Sequence, residues 1–408
     1  MRDQLRAGME EATRLTREGR LAEATSLIQR TLGGRLGPEA SPDAPAGVAE
    51  PIETIRRTVN EAGQTSATSQ PGPTKHGLRR APGPPRRFRG MPRPYVPGTT
   101  PGATTGPAVV SAGAQFIERS YTNRAGTRAY KLYVPGGYVG QEVPLVVMLH
   151  GCTQNPDDLA AGTRMNALAD EHTFLVAYPA QAVADNSSKC WNWFQAANQR
   201  RGWGEPSLIA GITCEILGEY HVAVGRVYVA GMSAGGAMAA IMGTAYPDLY
   251  AAIGVHSGLA PGAAHDLSSA FAAMRQGEPV TARRDAPNAA TVGESSRVVP
   301  VIVFHGDRDT TVHPSNADHL LAHYTADGED DAGKPTPLVR VQQGQVPGGH
   351  TYTRITHHDA GGRAIAERWT VHGLGHAWSG GSRPGSYTDP RGPDASAEMV
   401  RFFRQHQQ

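Results

Sequence analysis

From Gln115 onward the chain alternates short, continuously apolar runs with longer stretches of helical periodicity. Phe116–Tyr121 and Ala129–Val134 read as an opening hairpin, and Pro144–Leu149 (PLVVML) as a strand covered on both faces, because neither face offers a polar position. A helix over Asp157–Glu171 is predicted next, then strand Phe174–Tyr178, a helix over Ser207–Leu217 and strand Arg226–Ala230. The pattern continues with a helix over Ala234–Ala245, strands Tyr250–Val255, Val299–Phe304 and Glu367–Val371, and a last helix over Ala395–His406. Strands alternating with helices predict an α/β fold: a mostly parallel sheet with helices on both faces. The polar stretch Gly262–Arg297 reads as an insertion over one end of that sheet.

The N-terminal part has a different texture. Leu5, Met9, Ala12 and Leu15 recur at helical spacing, as do Leu21, Ala24, Ile28 and Leu32 after Gly19, so residues 1–32 predict a helical hairpin. One such unit cannot bury its own apolar stripe and reads as a docked appendage. Residues 33–113 are rich in Pro, Gly, Ala, Ser and Thr without apolar period, which reads as a disordered tether, and residues 114–408 form the folded domain. Within the tether, Pro71–Thr100 carries seven basic residues and no acid. The first residues alternate charge with apolar positions, unlike the continuous apolar core of an export signal, so a cytoplasmic location is expected.

Composition narrows the field. The 408 residues are 39% hydrophobic and 19% charged, enough for a large core, and the net charge of +2 argues against a dedicated nucleic-acid binder. No run of about 20 apolar residues spans a membrane. Three cysteines, Cys152, Cys190 and Cys214, are too few for a disulfide scaffold, though one bridge and one thiol can be made from them.

The chemistry centres on RVYVAGMSAGGAMA, where Ser233 lies between Gly231 and Gly235 at a strand-to-helix turn. Such a turn strains the nucleophile, and the close backbone approach around it requires glycine-sized neighbours. A serine hydroxyl needs a base, and the base an orienting acid. Asp309, beyond the strand that ends in His305-Gly306, is the preferred acid, with Asp307 its competitor. His376, on a glycine-flanked loop, is the preferred base, with His372 its competitor. Backbone N–H groups of Ala234 and of Cys152, in the loop HGCTQN, are the expected oxyanion donors. The thiol of Cys152 as nucleophile is a weaker alternative, because no base is matched to it. The remaining histidines, including His357 and His358, show no metal-ligand spacing. Neither metal nor organic cofactor is expected.

Five segments in order, HGCTQN, CWNWF (Cys190–Phe194), GMSAGGAMA, HGDRD and GLGHAWSGG, resemble the α/β-hydrolase esterases of the polyhydroxybutyrate depolymerase family. The resemblance covers about Phe116 to the end and implies Ser233, Asp309 and His376 as the triad. It implies Cys152 and Ala234 as oxyanion donors, and a bridge between Cys152 and Cys190. Cys214 is expected in the core. Trp193 and Trp378 are expected to offer aromatic faces to an aliphatic polyester, whereas core packing explains Trp191 equally well. The extra N-terminal material and the ending shortly after the last helix depart from secreted relatives with a polymer-binding domain. Amorphous granules, soluble oligomers or small esters are therefore the expected substrates, and the granule surface an expected partner. An acetyl or feruloyl carbohydrate esterase is the alternative enzyme, and a granule-associated scaffold the alternative without activity.

Overall fold

The computed structural model of the protein describes residues 110–276, 298–325 and 338–408. The expected hairpin of residues 1–32, the tether up to residue 109, and residues 277–297 of the expected insertion lie outside the described residues.

The chain opens with β1 (Gln115–Asn123), β2 (Gly126–Val134) and β3 (Val143–Leu149), followed by helices α1 (Pro156–Thr163) and α2 (Met165–His172). Then come β4 (Leu175–Pro179), α3 (Gly204–Glu219), β5 (Val222–Met232), α4 (Ala234–Ala245), β6 (Ala252–His256) and α5 (Leu267–Gln276). The remainder holds β7 (Val301–Gly306), α6 (Ser315–Thr325), β8 (Leu338–Gln345), β9 (Thr351–His358), β10 (Ala364–Val371), two short strands β11 (Trp378–Ser379) and β12 (Thr388–Asp389), and α7 (Ala395–Phe403).

Ten strands form one sheet in the order β1-β2-β4-β3-β5-β6-β7-β10-β9-β8. Its six central strands, β4 to β10, are mutually parallel, and an antiparallel pair extends each edge. Alternate residues of the central strands feed two separate cores. Leu145, Val147, Val229, Ile253 and Val303 face α3, α4 and α6, while Val146, Met148, Tyr228, Ile302 and Phe304 face α1, α2 and α7. Both strand faces are thus buried, which is why these segments read as unbroken apolar runs.

Several elements differ from the expected ones. Helix α6 and the short strands β11 and β12 were not foreseen. The helix expected over Asp157–Glu171 is broken at Arg164, which adopts φ 55°. Its N–H still closes α1 on Ala160 O, while its guanidinium reaches Asp394 at 2.7 Å. Strands β8 and β9 were not foreseen, because LVRVQQGQ and TYTRITHH mix charged and polar residues on both faces, as edge strands that lack a covering helix layer do. The expected insertion over Gly262–Arg297 contributes a helix, α5.

Candidate active site

Beyond β3 the chain pairs β4 on one side of it, then crosses to place β5 on the other. In an open parallel sheet this reversal leaves a crevice outside the carboxyl ends of the strands. The loop HGCTQN leaves β3 there, and Ser233 leaves β5, with Leu149 paired beside Gly231. The loops carrying Asp309 and His376 follow β7 and β10, which are parallel neighbours further along the same rim.

Ser233 adopts φ 56° and ψ −121°, outside the ordinary regions for a side-chain-bearing residue. The strain is fixed from both directions. Its N–H donates to His256 O at 2.9 Å, and its carbonyl accepts the N–H of Ala237 in the first turn of α4. The flanking glycines are required by contact: a Cβ on Gly235 would stand 2.1 Å from Leu149 O, and one on Gly231 2.3 Å from Gly235 O. The Ser233 side chain caps no N–H of α4.

Asp309 is buried and accepts four contacts. Oδ1 takes the N–H groups of Thr311 and Val312, each at 2.9 Å, while Oδ2 lies 2.7 Å from His376 Nδ1 and 3.5 Å from His305 Nε2. Burial alone would push the carboxyl up, but the bonds from His305 and His376 outweigh it and hold it well below the usual carboxylate range. The carboxylate therefore stays charged beside His376, fixes the ring's orientation and stabilises it when protonated. The competing residues pair with each other instead: His372 Nδ1 lies 3.0 Å from Asp307 Oδ2, and its Nε2 2.9 Å from Thr353 Oγ1, on the exposed side of the same loops.

Loop 150–155 abuts the nucleophile, since a Cβ on Gly151 would meet the Ser233 Cβ at 3.5 Å. Cys152 is joined to Cys190 by a disulfide, with the two Cα atoms 4.2 Å apart. Thr153, at φ 68°, donates its N–H to Ser188 O at 2.7 Å, and Gln154 Oε1 receives Gly151 N–H. The loop is thus clamped on both sides of Cys152, and Ala234 supplies the first N–H of α4, where the helix dipole favours negative charge.

Both tryptophans expected at the substrate are buried. Trp193 is 5% and Trp378 1% exposed, and Trp378 gives its N–H to Ser396 and stacks on His256 at 5.0 Å. Trp378 thus packs on the histidine whose carbonyl holds Ser233, and Trp193 packs edge-on against Phe194 with ring centroids 5.8 Å apart. Trp191 is fully buried against His150 and Arg128. Cys214 lies in the core on α3. Among the described residues no His, Cys, Asp or Glu cluster fits a metal ion.

The sequence reading missed His256. Its carbonyl holds Ser233, its Nε2 accepts Ser379 N–H at 3.0 Å from the segment after His376, and its ring stacks on Trp378 and Phe304. Burial pushes the imidazole down to about 3, helped by repulsion from His305 and His376, so it stays neutral and keeps accepting. A lone histidine at the end of an apolar strand carries no sequence signal of this double anchorage.

A strained serine at a strand–helix elbow, with an Asp–His pair on the same rim of a mostly parallel, two-sided sheet, defines an α/β-hydrolase. Residues 128–333 match the profile of the Esterase PHB depolymerase family, and the chain belongs to that family. It is similar to poly(3-hydroxyalkanoate) depolymerase C of Paucimonas lemoignei, 32% identical over 257 residues, covering 62% of this chain and 59% of that protein. Acetylxylan esterase A of Talaromyces purpureogenus is 30% identical over 217 residues, 51% of this chain and 55% of its own. Feruloyl esterase B of Thermothelomyces thermophilus is 29% identical over 224 residues, 53% and 75%. The chain thus spans less than two thirds of the first two relatives. Among solved structures, acetyl xylan esterase from Aspergillus awamori shares the fold with a TM-score of 0.54 at 20% identity, over 72% of this chain and 99% of that one.

Proposed function

We propose that the protein is a serine esterase that hydrolyses ester bonds of short-chain polyhydroxyalkanoates, poly(3-hydroxybutyrate) or its oligomers. The observation that carries the esterase reading is the 2.7 Å Asp309–His376 pair on the rim that presents strained Ser233. Ser233 Oγ attacks the ester carbonyl while His376 Nε2 takes its proton and Asp309 holds Nδ1. The N–H groups of Ala234 and Cys152 receive the developing oxyanion. His376 returns the proton to the leaving alcohol, and water then attacks the acyl-enzyme by the same route.

The substrate class is supported by similarity: the match to the polyhydroxyalkanoate depolymerase is longer and higher in identity than those to the acetylxylan and feruloyl esterases above. A carbohydrate esterase acting on acetyl or feruloyl groups is the second reading, favoured by those relatives and by the shared fold. Initial rates on amorphous poly(3-hydroxybutyrate) granules and hydroxybutyrate oligomers, beside acetylated xylan and feruloylated sugars, separate the two. Faster turnover of the hydroxybutyrate esters is expected; turnover confined to the sugar esters overturns the substrate assignment. Ester turnover that Ser233→Ala does not reduce would overturn the mechanism.

A further inference from the structure

With Trp193 and Trp378 buried, a different aromatic stands at the mouth of the site. Tyr387, between β11 and β12, is 39% exposed, and its ring lies edge-on to His376 with centroids 6.4 Å apart. Its hydroxyl is 3.2 Å from Thr153 Oγ1, one residue beyond Cys152. Tyr387 and Thr153 thus bridge the loop of the base and the loop of the oxyanion donor.

Both ends of this bridge are strained, Tyr387 at φ 51° and Thr153 at φ 68°. A bulky residue keeps such a conformation only where its surroundings impose it, and such positions gather at ligand clamps. The surroundings here are explicit. Tyr387 O accepts Trp378 N–H at 2.7 Å; the neighbouring Ser386 donates its N–H to Asp158 at 2.7 Å, and its hydroxyl also bonds Asp158. Gln154 Nε2 reaches both Ser386 O and Asp158 Oδ2 from the oxyanion loop. With the hydroxyl turned to Thr153, the ring carbons form the exposed surface that incoming substrate meets.

We propose that Tyr387 is the specificity-determining wall of the cleft, its ring receiving the aliphatic acyl chain, and that its hydroxyl positions the oxyanion loop through Thr153. This rests on the assignment of Ser233, His376 and Cys152 made above. It selects for methyl-bearing aliphatic acyl groups over acetyl groups, since each added methylene gains contact with the ring.

The test is steady-state kinetics of the full chain on p-nitrophenyl butyrate and p-nitrophenyl acetate. Tyr387→Gly removes the ring while favouring the left-handed backbone, so it tests the wall without adding strain. It is expected to lower the butyrate-to-acetate ratio of kcat/KM about tenfold, mainly through KM. Tyr387→Phe should restore that ratio but lower kcat on both esters by about 2- to 10-fold, the loss of one hydrogen bond to the loop. Thr153→Val should lower kcat alike, with no further loss in the double variant. An unchanged ratio in Tyr387→Gly, with wild-type turnover intact, overturns the wall; an unchanged kcat in Tyr387→Phe overturns the strut. A wild-type chain that turns over neither ester overturns the esterase reading itself, and this proposal with it.

Discussion

At the scale of single residues, Asp309 carries the heaviest electrostatic duty, a buried charge with every acceptor position used. Asp309→Asn keeps the size but leaves His376 in the wrong tautomer, and kcat is expected to fall about 10³- to 10⁴-fold with little change in KM. Asp307→Asn, which touches only the exposed His372 pair and Gly373 N–H, should stay within about twofold of wild type. Equal losses in the two variants, measured on one ester, would contradict the assignment of the acid. The elbow position of Ser233 and the pairing of Asp309 with His376 were legible because each residue sits at a glycine-marked turn just past an apolar run. What the sequence could not show was that the rival pair, Asp307 and His372, satisfies itself on the outer side. Tyr387 left no trace at all, since its importance lies in a left-handed backbone and a partner more than 200 residues away.

At the scale of elements, the elbow between β5 and α4 depends on backbone approach too close for any side chain. Gly235→Ala would drive a Cβ into the Leu149 carbonyl, so β3 or α4 must shift; loss of soluble, folded protein or of most activity is expected. A variant with wild-type melting temperature and turnover would contradict that packing. The Cys152–Cys190 bridge closes a loop of 38 residues and fixes the residue whose N–H is assigned to the oxyanion. Cys190→Ser is expected to cost about 3–4 kcal/mol by chain entropy and to lower kcat as loop 150–155 loosens. Unchanged urea midpoint and kcat would show that the clamp from Thr153 and Gln154 suffices alone. Such bridges persist in oxidising compartments. A cytoplasmic or granule-bound enzyme would therefore work with the two thiols, and counting thiols in protein taken from cells decides between the states. The elements most easily read were those buried on both faces, β3, β5, β6 and β7. Among those missed, β8 and β9 are held by strand pairing at an edge where no core imposes apolar alternation.

At the scale of the whole molecule, two buried histidines couple folding to pH. Burial lowers His150 to about 4 and His256 to about 3, against an ordinary value near 6.5. Between those values the unfolded chain binds protons that the native state refuses, so stability rises with pH and falls on acidification. Each histidine contributes up to about 1.4 kcal/mol per pH unit in that window, and below about pH 4 the protonation of Asp309 in the unfolded chain adds to the loss. Urea unfolding from about pH 7 to about pH 4.5 should show this slope. A flat profile would mean that one or both rings are charged in the native state. Among the described residues no helix is long and apolar enough to cross a membrane. The two-sided core was legible from sequence because β3, β4, β6 and β7 leave no polar face to interrupt the pattern. The strand order that sets the loops after β5, β7 and β10 along one rim was not. The proposed joint action of Ser233, His376 and Asp309 is tested most directly by treating the full chain with a fluorophosphonate and mapping the modified peptide by mass spectrometry. One adduct on Ser233, abolished in Ser233→Ala and strongly slowed in His376→Ala, is the predicted result. An adduct on another residue, or equal labelling of the His376→Ala variant, would contradict the account.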